Sequence, residues 1–255
     1  MKRSSFYWFS SLGLVAALTG CGAVWVNLGS KNEPLVDGLK DPSAMKTKAV
    51  VPAEQRLISN FEDGTTNVNP KLINGGGGSW NAFSYAGNTV NNPFVVDGGA
   101  NGTKKAVHLF GTLSNKGDNS YPSFTLVMKP KSSGFYDASA FSGISFYYKC
   151  PPADQTLYRR LSIPIGATLP TSAGGSCQDG CYNHFGADLS SSAEWVLVKK
   201  AFNDFKRSPG WGSPVNPPDF TDHLNEIVDF EWNNSTGNTA GTAGVDFWVD
   251  EVEFY

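Results

Sequence analysis

The 255-residue sequence carries no concentrated positive charge. Twenty Lys and Arg against 23 Asp and Glu leave a net charge of -3, and no basic run occurs. The electrostatic footprint of a nucleic-acid binder is therefore missing. Histidine is scarce, and the three present, His108, His184 and His223, are spread singly. With no HExxH pair, no Ser-His-Asp spacing and no phosphate-binding loop, zinc-protease, triad-hydrolase and P-loop chemistry lack their residues. The apolar run from Phe6 to about Leu18 falls short of the roughly 20 residues that span a bilayer. Lys, Glu and Leu are modest, while Gly, Asn, Ser, Thr and aromatics abound. That balance favours an all-β fold with many turns.

Alternation supports the same reading. Phe124, Leu126 and Met128 share a parity, as do Ile144, Phe146 and Tyr148, then Leu161, Ile163 and Ile165, then Val228, Phe230 and Trp232. Further strands are expected at Leu57 to Phe61, Lys105 to Leu113, Trp195 to Ala201 and Val245 to Tyr255. Period-two runs between Gly, Pro, Asn and Asp clusters mark half-buried antiparallel strands, and about nine of them predict an antiparallel β-sandwich. Single helical turns are expected at Asn203 to Arg207 and Phe220 to Glu226. In the last strand Val245, Phe247 and Val249 share one parity, Val252 and Phe254 the other. The slip at Asp250-Glu251 predicts a β-bulge.

The N-terminus has the layout of a secretory signal: Met1-Lys2-Arg3, the apolar run, then Leu18-Thr19-Gly20-Cys21. The last four residues resemble the lipobox of bacterial lipoproteins. That resemblance implies cleavage before Cys21, acylation of its thiol and lipid anchoring to the cell envelope. Gly22, where an Asp would favour the inner membrane, points to the outer one. Residues 22–55 are polar and aperiodic and read as a tether; residues 56–255 form the β-sandwich domain. The envelope is oxidising, and Cys150, Cys177 and Cys181 remain once Cys21 is acylated. Three pairings are possible in principle; the tight loop Cys177-Gln178-Asp179-Gly180-Cys181 is assigned the disulfide, leaving Cys150 buried or free.

Several clusters occur in an order that resembles one family. They are Asn60-Phe61-Glu62-Asp63-Gly64, Gly78-Ser79-Trp80, Tyr136-Asp137-Ala138-Ser139, Phe141 to Phe146, Tyr182-Asn183-His184-Phe185-Gly186, Glu194-Trp195, Gly210-Trp211-Gly212 and Phe247 to Val252. Together they resemble the galactose-binding-like jelly rolls used as carbohydrate-binding modules in secreted bacterial proteins; related jelly rolls also occur in the complex-I intermediate-associated protein family. The resemblance implies a structural calcium held by Glu62 and Asp250, with Asp63 as a neighbour. It also implies a polysaccharide or glycan lying in a groove across one sheet.

Sugar binding needs aromatic faces for the pyranose ring and fixed polar groups for its hydroxyls. Outward parity offers Tyr147 with Lys149, Tyr158 with Arg160, and Asp229 with Glu231 and Asn233; loops add His184 and Trp211. Trp211 between two glycines is the leading stacking candidate, with loop anchoring as its alternative. Trp80, Trp195, Trp232 and Trp248 read as sheet-packing residues. Asp229 and Glu231 lie two apart on one strand, so both would sit on the same side of a ligand, whereas glycosidase carboxyls flank the bond. No catalytic residue is assigned. A non-catalytic carbohydrate-binding lipoprotein is the leading reading. A structural or adhesive envelope protein with a protein partner, or a polysaccharide-active hydrolase or lyase, are the alternatives.

Overall fold

Alternating side chains become two facing antiparallel sheets. The computed structural model describes residues 50–85, 94–116, 123–151, 157–209, 219–237 and 240–255. The lipobox with Cys21, residues 22–49 of the expected tether, and Trp211 lie outside the described residues. In chain order the strands are β1 (Leu57–Ser59), β2 (Gly77–Ser84), β3 (Phe94–Asp97), β4 (Lys105–Asn115), β5 (Ser123–Lys131), β6 (Gly143–Cys150), β7 (Tyr158–Ile163), β8 (Phe185–Asp188), β9 (Ser192–Ala201), β10 (Phe230–Ser235) and β11 (Gly241–Phe254). Sheet A has the order β3-β4-β11-β6-β9, with β1 also paired to β11; sheet B has the order β2-β5-β10-β7-β8. The result is an antiparallel β-sandwich, as the alternation predicts, and of the jelly-roll type, as the resemblance implies.

The facing sides of the sheets fill one aromatic-rich core. Trp80 of β2 and Trp232 of β10 lie 5.2 Å apart, and Phe146 of β6 meets Trp232 edge-on from the opposite sheet at 5.3 Å. Phe254 stacks on Phe141 at 4.6 Å and meets Phe230 of sheet B at 5.6 Å. Offset and edge-on ring pairs of this kind add to the burial of their area. Leu161, Ile163 and Ile165 face the core as expected, but so does Arg159, whose Nε donates to the Sγ of buried Cys150 at 3.1 Å.

Several elements differ from the sequence expectation. Strands β2, β3 and β8 were not foreseen, and β10 begins at Phe230, so that Val228 of the expected alternating run precedes it. Phe230 and Trp232 are buried as expected, but before β10 the buried apolar residue is Ile227, which bridges Tyr136 and Ile165, while Val228 is only half-buried. Helical turns occur at Phe202–Asp204 and Phe220–His223, close to the expected places, with others at Ala53–Arg56, Gly166–Thr168 and Thr171–Ala173. Glu54 and Gln55, expected in the tether, bond to the folded body: Asn69 Nδ2 donates to the Glu54 carbonyl and the Ile73 amide to that of Gln55. The bulge in β11 is present: pairing with β6 shifts between Asp250 and Glu253, and Glu251 takes a φ of 44°. Among the described residues no helix is long and apolar enough to cross a membrane.

Candidate glycan-binding face

Burial of one parity in sheet B presents the other on its outer face. The pairing of the five strands then lines up whole rows. One runs Phe83–Thr125–Asn233–Arg160–Asp188 across β2, β5, β10, β7 and β8. The neighbouring row runs Asn81–Val127–Glu231–Ser162–Gly186. Five strands at about 4.8 Å spacing make each row about 19 Å long.

The polar groups of these rows are fixed by one another. Thr125 Oγ1 donates to Asn233 Oδ1 at 2.5 Å, and Asn233 Nδ2 donates to Glu231 Oε2 at 3.3 Å. Arg160 Nη1 pairs with Asp188 Oδ1 at 3.1 Å, and its Nη2 donates to the Lys206 carbonyl. Gly186 makes room for this: a Cβ there would fall on the Arg160 guanidinium. Exposed rings border the rows, namely Phe83 and neighbouring Tyr85 at the β2 edge and Tyr158 on β7. Neither Phe83 nor Tyr85 stood out in the sequence, because β2 is glycine-led and preceded by a turn cluster.

Beyond Glu231 the face becomes less wet. Asp229 is 8% exposed, and its Oδ1 has no hydrogen-bond partner among the described residues. Burial pushes its carboxyl up to about 8, the nearby Glu231 carboxyl adds to the rise, and the Lys129 ammonium opposes it. Burial also raises Glu231, against the Asn233 hydrogen bond. His184, one residue before β8, shares a hydrogen bond with Thr168 Oγ1 through Nδ1 at 2.8 Å. Burial, and then the Arg207 guanidinium, lower its imidazole to about 4. It is therefore a neutral side chain at ordinary pH. The Cys177–Cys181 disulfide closes the loop just before it, as expected.

Of the sequence-selected groups, Tyr158, Arg160, Glu231, Asn233 and Asp229 share this face, and His184 stands at its β8 end. Tyr147 and Lys149 do not join them. Both lie on β6, on the outer face of sheet A, the opposite side of the sandwich. Alternation assigns a side chain to a face of its own strand but not to a sheet, and that ambiguity grouped Tyr147 with residues of the other sheet. Sheet A has its own aromatic row, Phe94–His108–Trp248, in which Phe94 at the edge is exposed but the Trp248 ring is covered. Trp248 stacks on His108 at 4.1 Å and 1°, and Lys149 Nζ lies 4.8 Å from the Trp248 ring centre. His108 is further bound to Asp246 at 2.7 Å. With an imidazole stacked on Trp248 and an ammonium over the same ring, little of its surface is left for a pyranose.

The residues expected around a calcium divide. Asp250 is fully buried: its Oδ2 accepts from the Ala100 amide at 2.8 Å and Thr103 Oγ1 at 2.6 Å, its Oδ1 from the Glu251 amide at 2.7 Å. Burial raises this carboxyl while those hydrogen bonds lower it. Glu62 Oε1 accepts the amides of Lys104 and Lys105 at 2.7 and 2.8 Å, so both carboxylates grip the 98–105 loop. Asp63 turns away and caps its own turn through the Thr65 amide and hydroxyl, both at 2.9 Å. Among the described residues no three His, Cys, Asp or Glu side chains converge.

The raised Asp229 carboxyl has a consequence for stability. In the unfolded chain it ionises near its ordinary value of about 3.9, whereas the fold keeps its proton up to about 8. The stability it confers is complete below about pH 4 and is lost as pH rises through 8. Asp229→Asn, neutral throughout, should match the wild type near pH 4 and exceed it by on the order of 5 kcal/mol near pH 8. Melting temperatures across that range check this; a difference that does not grow with pH contradicts it.

No family model matches the chain, and no curated protein matches it. Solved structures do. A family 11 carbohydrate-binding module from Clostridium thermocellum, in complex with a β-1,3-1,4-mixed-linked tetrasaccharide, aligns over 78% of this chain and 94% of its own, with 18% identity and a TM-score of 0.50. The family 11 module of the cellulosomal cellulase Lic26A-Cel5E of the same organism aligns over 69% and 86%, with 19% identity and a TM-score of 0.45. The first of these likenesses places the chain in the jelly-roll fold of such modules.

Proposed function

We propose that this protein is a non-catalytic glycan-binding protein whose ligand lies across the strands of sheet B. The observation that carries the reading is the Phe83–Thr125–Asn233–Arg160–Asp188 row. It offers mutually braced polar groups, with exposed rings at Phe83, Tyr85 and Tyr158 around them. Braced donors and acceptors lose little freedom when sugar hydroxyls replace water, and exposed rings offer stacking surface. The ligand of the family 11 module supports a β-linked polysaccharide as the partner class. A non-catalytic role is supported by Asp229, just before β10, and Glu231 within it, which project to the same side. Lipid attachment at Cys21, with display on the cell envelope and the outer membrane as its site, completes the proposal; its support is the lipobox pattern.

Affinity electrophoresis of the full chain through mixed-linked β-glucan, xylan and mannan tests this. At least one polymer should retard the wild type. Arg160→Ala and Tyr158→Ala should each weaken retardation about tenfold, close to 1.4 kcal/mol, with melting temperature nearly unchanged. A folded protein that no polymer retards would redirect attention to a protein partner.

Calcium fits the 98–105 loop in donor chemistry. Glu62 and Asp250 supply carboxylates and Thr103 a hydroxyl, and the Lys105 carbonyl lies beside the Gly99 Cα, where a Cβ would crowd both it and Asp250. Calcium takes six to eight oxygens of these kinds. Bound there, it would supply charge that neutralises two carboxylates and so stiffens the loop against β11. Calcium at a hundredfold its Kd should add about 2.7 kcal/mol, seen as a higher melting temperature that EDTA reverses and Asp250→Asn abolishes. An identical melting temperature with calcium and with EDTA contradicts it.

A further inference from the structure

Five non-glycine residues among the described ones have positive φ: Phe61, Asn74, Asn101, Tyr182 and Glu251. For a bulky side chain such a backbone is strained and persists only where its surroundings enforce it. Four of the five have a visible reason. Phe61 is 2% exposed and packs edge-on against Trp80 in the core. Asn74 and Asn101 are of the type that tolerates this region, and each side chain is bonded, to the Asp137 carbonyl and to Glu251. Glu251 sits on the β11 bulge and holds Asn101.

Tyr182, at a φ of 69°, has no such reason. Its side chain is 54% exposed, so no core burial offsets the strain. Its one ring contact is edge-on to His184 at 6.1 Å, and its hydroxyl has no partner among the described residues. Yet the backbone around it is held from several sides. The Cys177–Cys181 disulfide ends at the preceding residue, and the Tyr182 amide donates to the Thr168 carbonyl at 2.8 Å. The Tyr182 carbonyl accepts the His184 amide at 3.0 Å, and Arg207 Nε and Nη2 fasten Asn183 and Gly180 at 2.9 and 3.4 Å. The fold thus spends several constraints on keeping an unburied ring in a strained place. That place is the β8 end of the sheet B face, where His184 shares the parity of Gly186 and Asp188 and where Thr168 and Ile165 continue from β7.

We propose that Tyr182 is a stacking residue of a terminal subsite at the β8 end of the sheet B face, taking the apolar face of a pyranose ring, with His184 behind it. The subsite rests on the glycan-binding reading above and extends the ligand's path past the Arg160–Asp188 pair. A tyrosine ring suits it, since it offers a flat apolar surface at low cost in side-chain freedom and a hydroxyl for a sugar oxygen.

Glycine separates a binding role from a structural one, because it adopts this φ without strain. In the full chain, Tyr182→Gly should keep or raise the melting temperature while weakening retardation by the polymer that holds the wild type at least fivefold. Tyr182→Phe should retain most of the retardation. A Tyr182→Gly protein that melts several degrees lower would show the ring to be an anchor, and one retarded like the wild type would show that no sugar stacks there; either overturns the subsite and leaves the glycan face standing. A wild type that no polymer retards overturns the face itself, and the subsite with it.

Discussion

The contact between Trp80 and Trp232 sets the geometry of everything on sheet B. The two indoles lie diagonally across β5, since Trp80 pairs with Met128 and Trp232 with Leu126. A one-residue slip of either strand would turn its tryptophan out to water and its polar neighbours into the core. Burying two such large side chains therefore pins β2 and β10 to β5 in a single register. Asn81 and Phe83, Glu231 and Asn233 are the residues between and beyond those tryptophans. They face outward in line because the core leaves them no alternative. The outer rows are thus the reverse side of the core, and their order is inherited from packing rather than built separately.

A second constraint lies in β11. This strand pairs with β4 and then β1 on one side and with β6 on the other, and its bulge lets Phe247 and Val249 and then Val252 and Phe254 all reach the core. The residues at the shift, Asp250 and Glu251, cannot continue the alternation. Asp250 is buried on the outer side of sheet A, and the 98–105 loop closes around it through Ala100 and Thr103. Glu62, just past β1, grips the same loop from its other end. A buried carboxylate held by neutral donors alone is costly. Among the described residues no Lys or Arg lies within ion-pair distance of it, and it is on this carboxylate that the calcium proposal rests.

The sequence disclosed what local patterns encode. Strong alternation located β5, β6, β7 and β11, and the phase slip located the bulge. Glycine between two close cysteines located the disulfide. What it could not disclose was tertiary. Parity put Tyr147 and Tyr158 on outward faces alike, and only the strand order separates β6 from β7 into different sheets. Strand β2 opens with the glycines of a turn cluster, and β3 and β8 are only four residues long, so their pattern sank into the surrounding turns. Arg159 faces inward because its parity is that of Leu161 and Ile163, although composition reads it as surface. Tyr182 was hidden for another reason: a left-handed backbone leaves no mark in composition, and the Gly180-Cys181-Tyr182-Asn183 run hints only at a turn.

The central claim is that ligand lies on the outer face of sheet B. Its most direct test is a backbone amide NMR titration of the full chain with a β-1,3-1,4-mixed-linked tetrasaccharide. The account predicts saturable shifts clustered at Phe83, Thr125, Arg160, Asp188, Glu231 and Asn233, with His108, Tyr147 and Trp248 still. Shifts gathered on the sheet A residues instead, with the Arg160–Asn233 row unmoved, would contradict it.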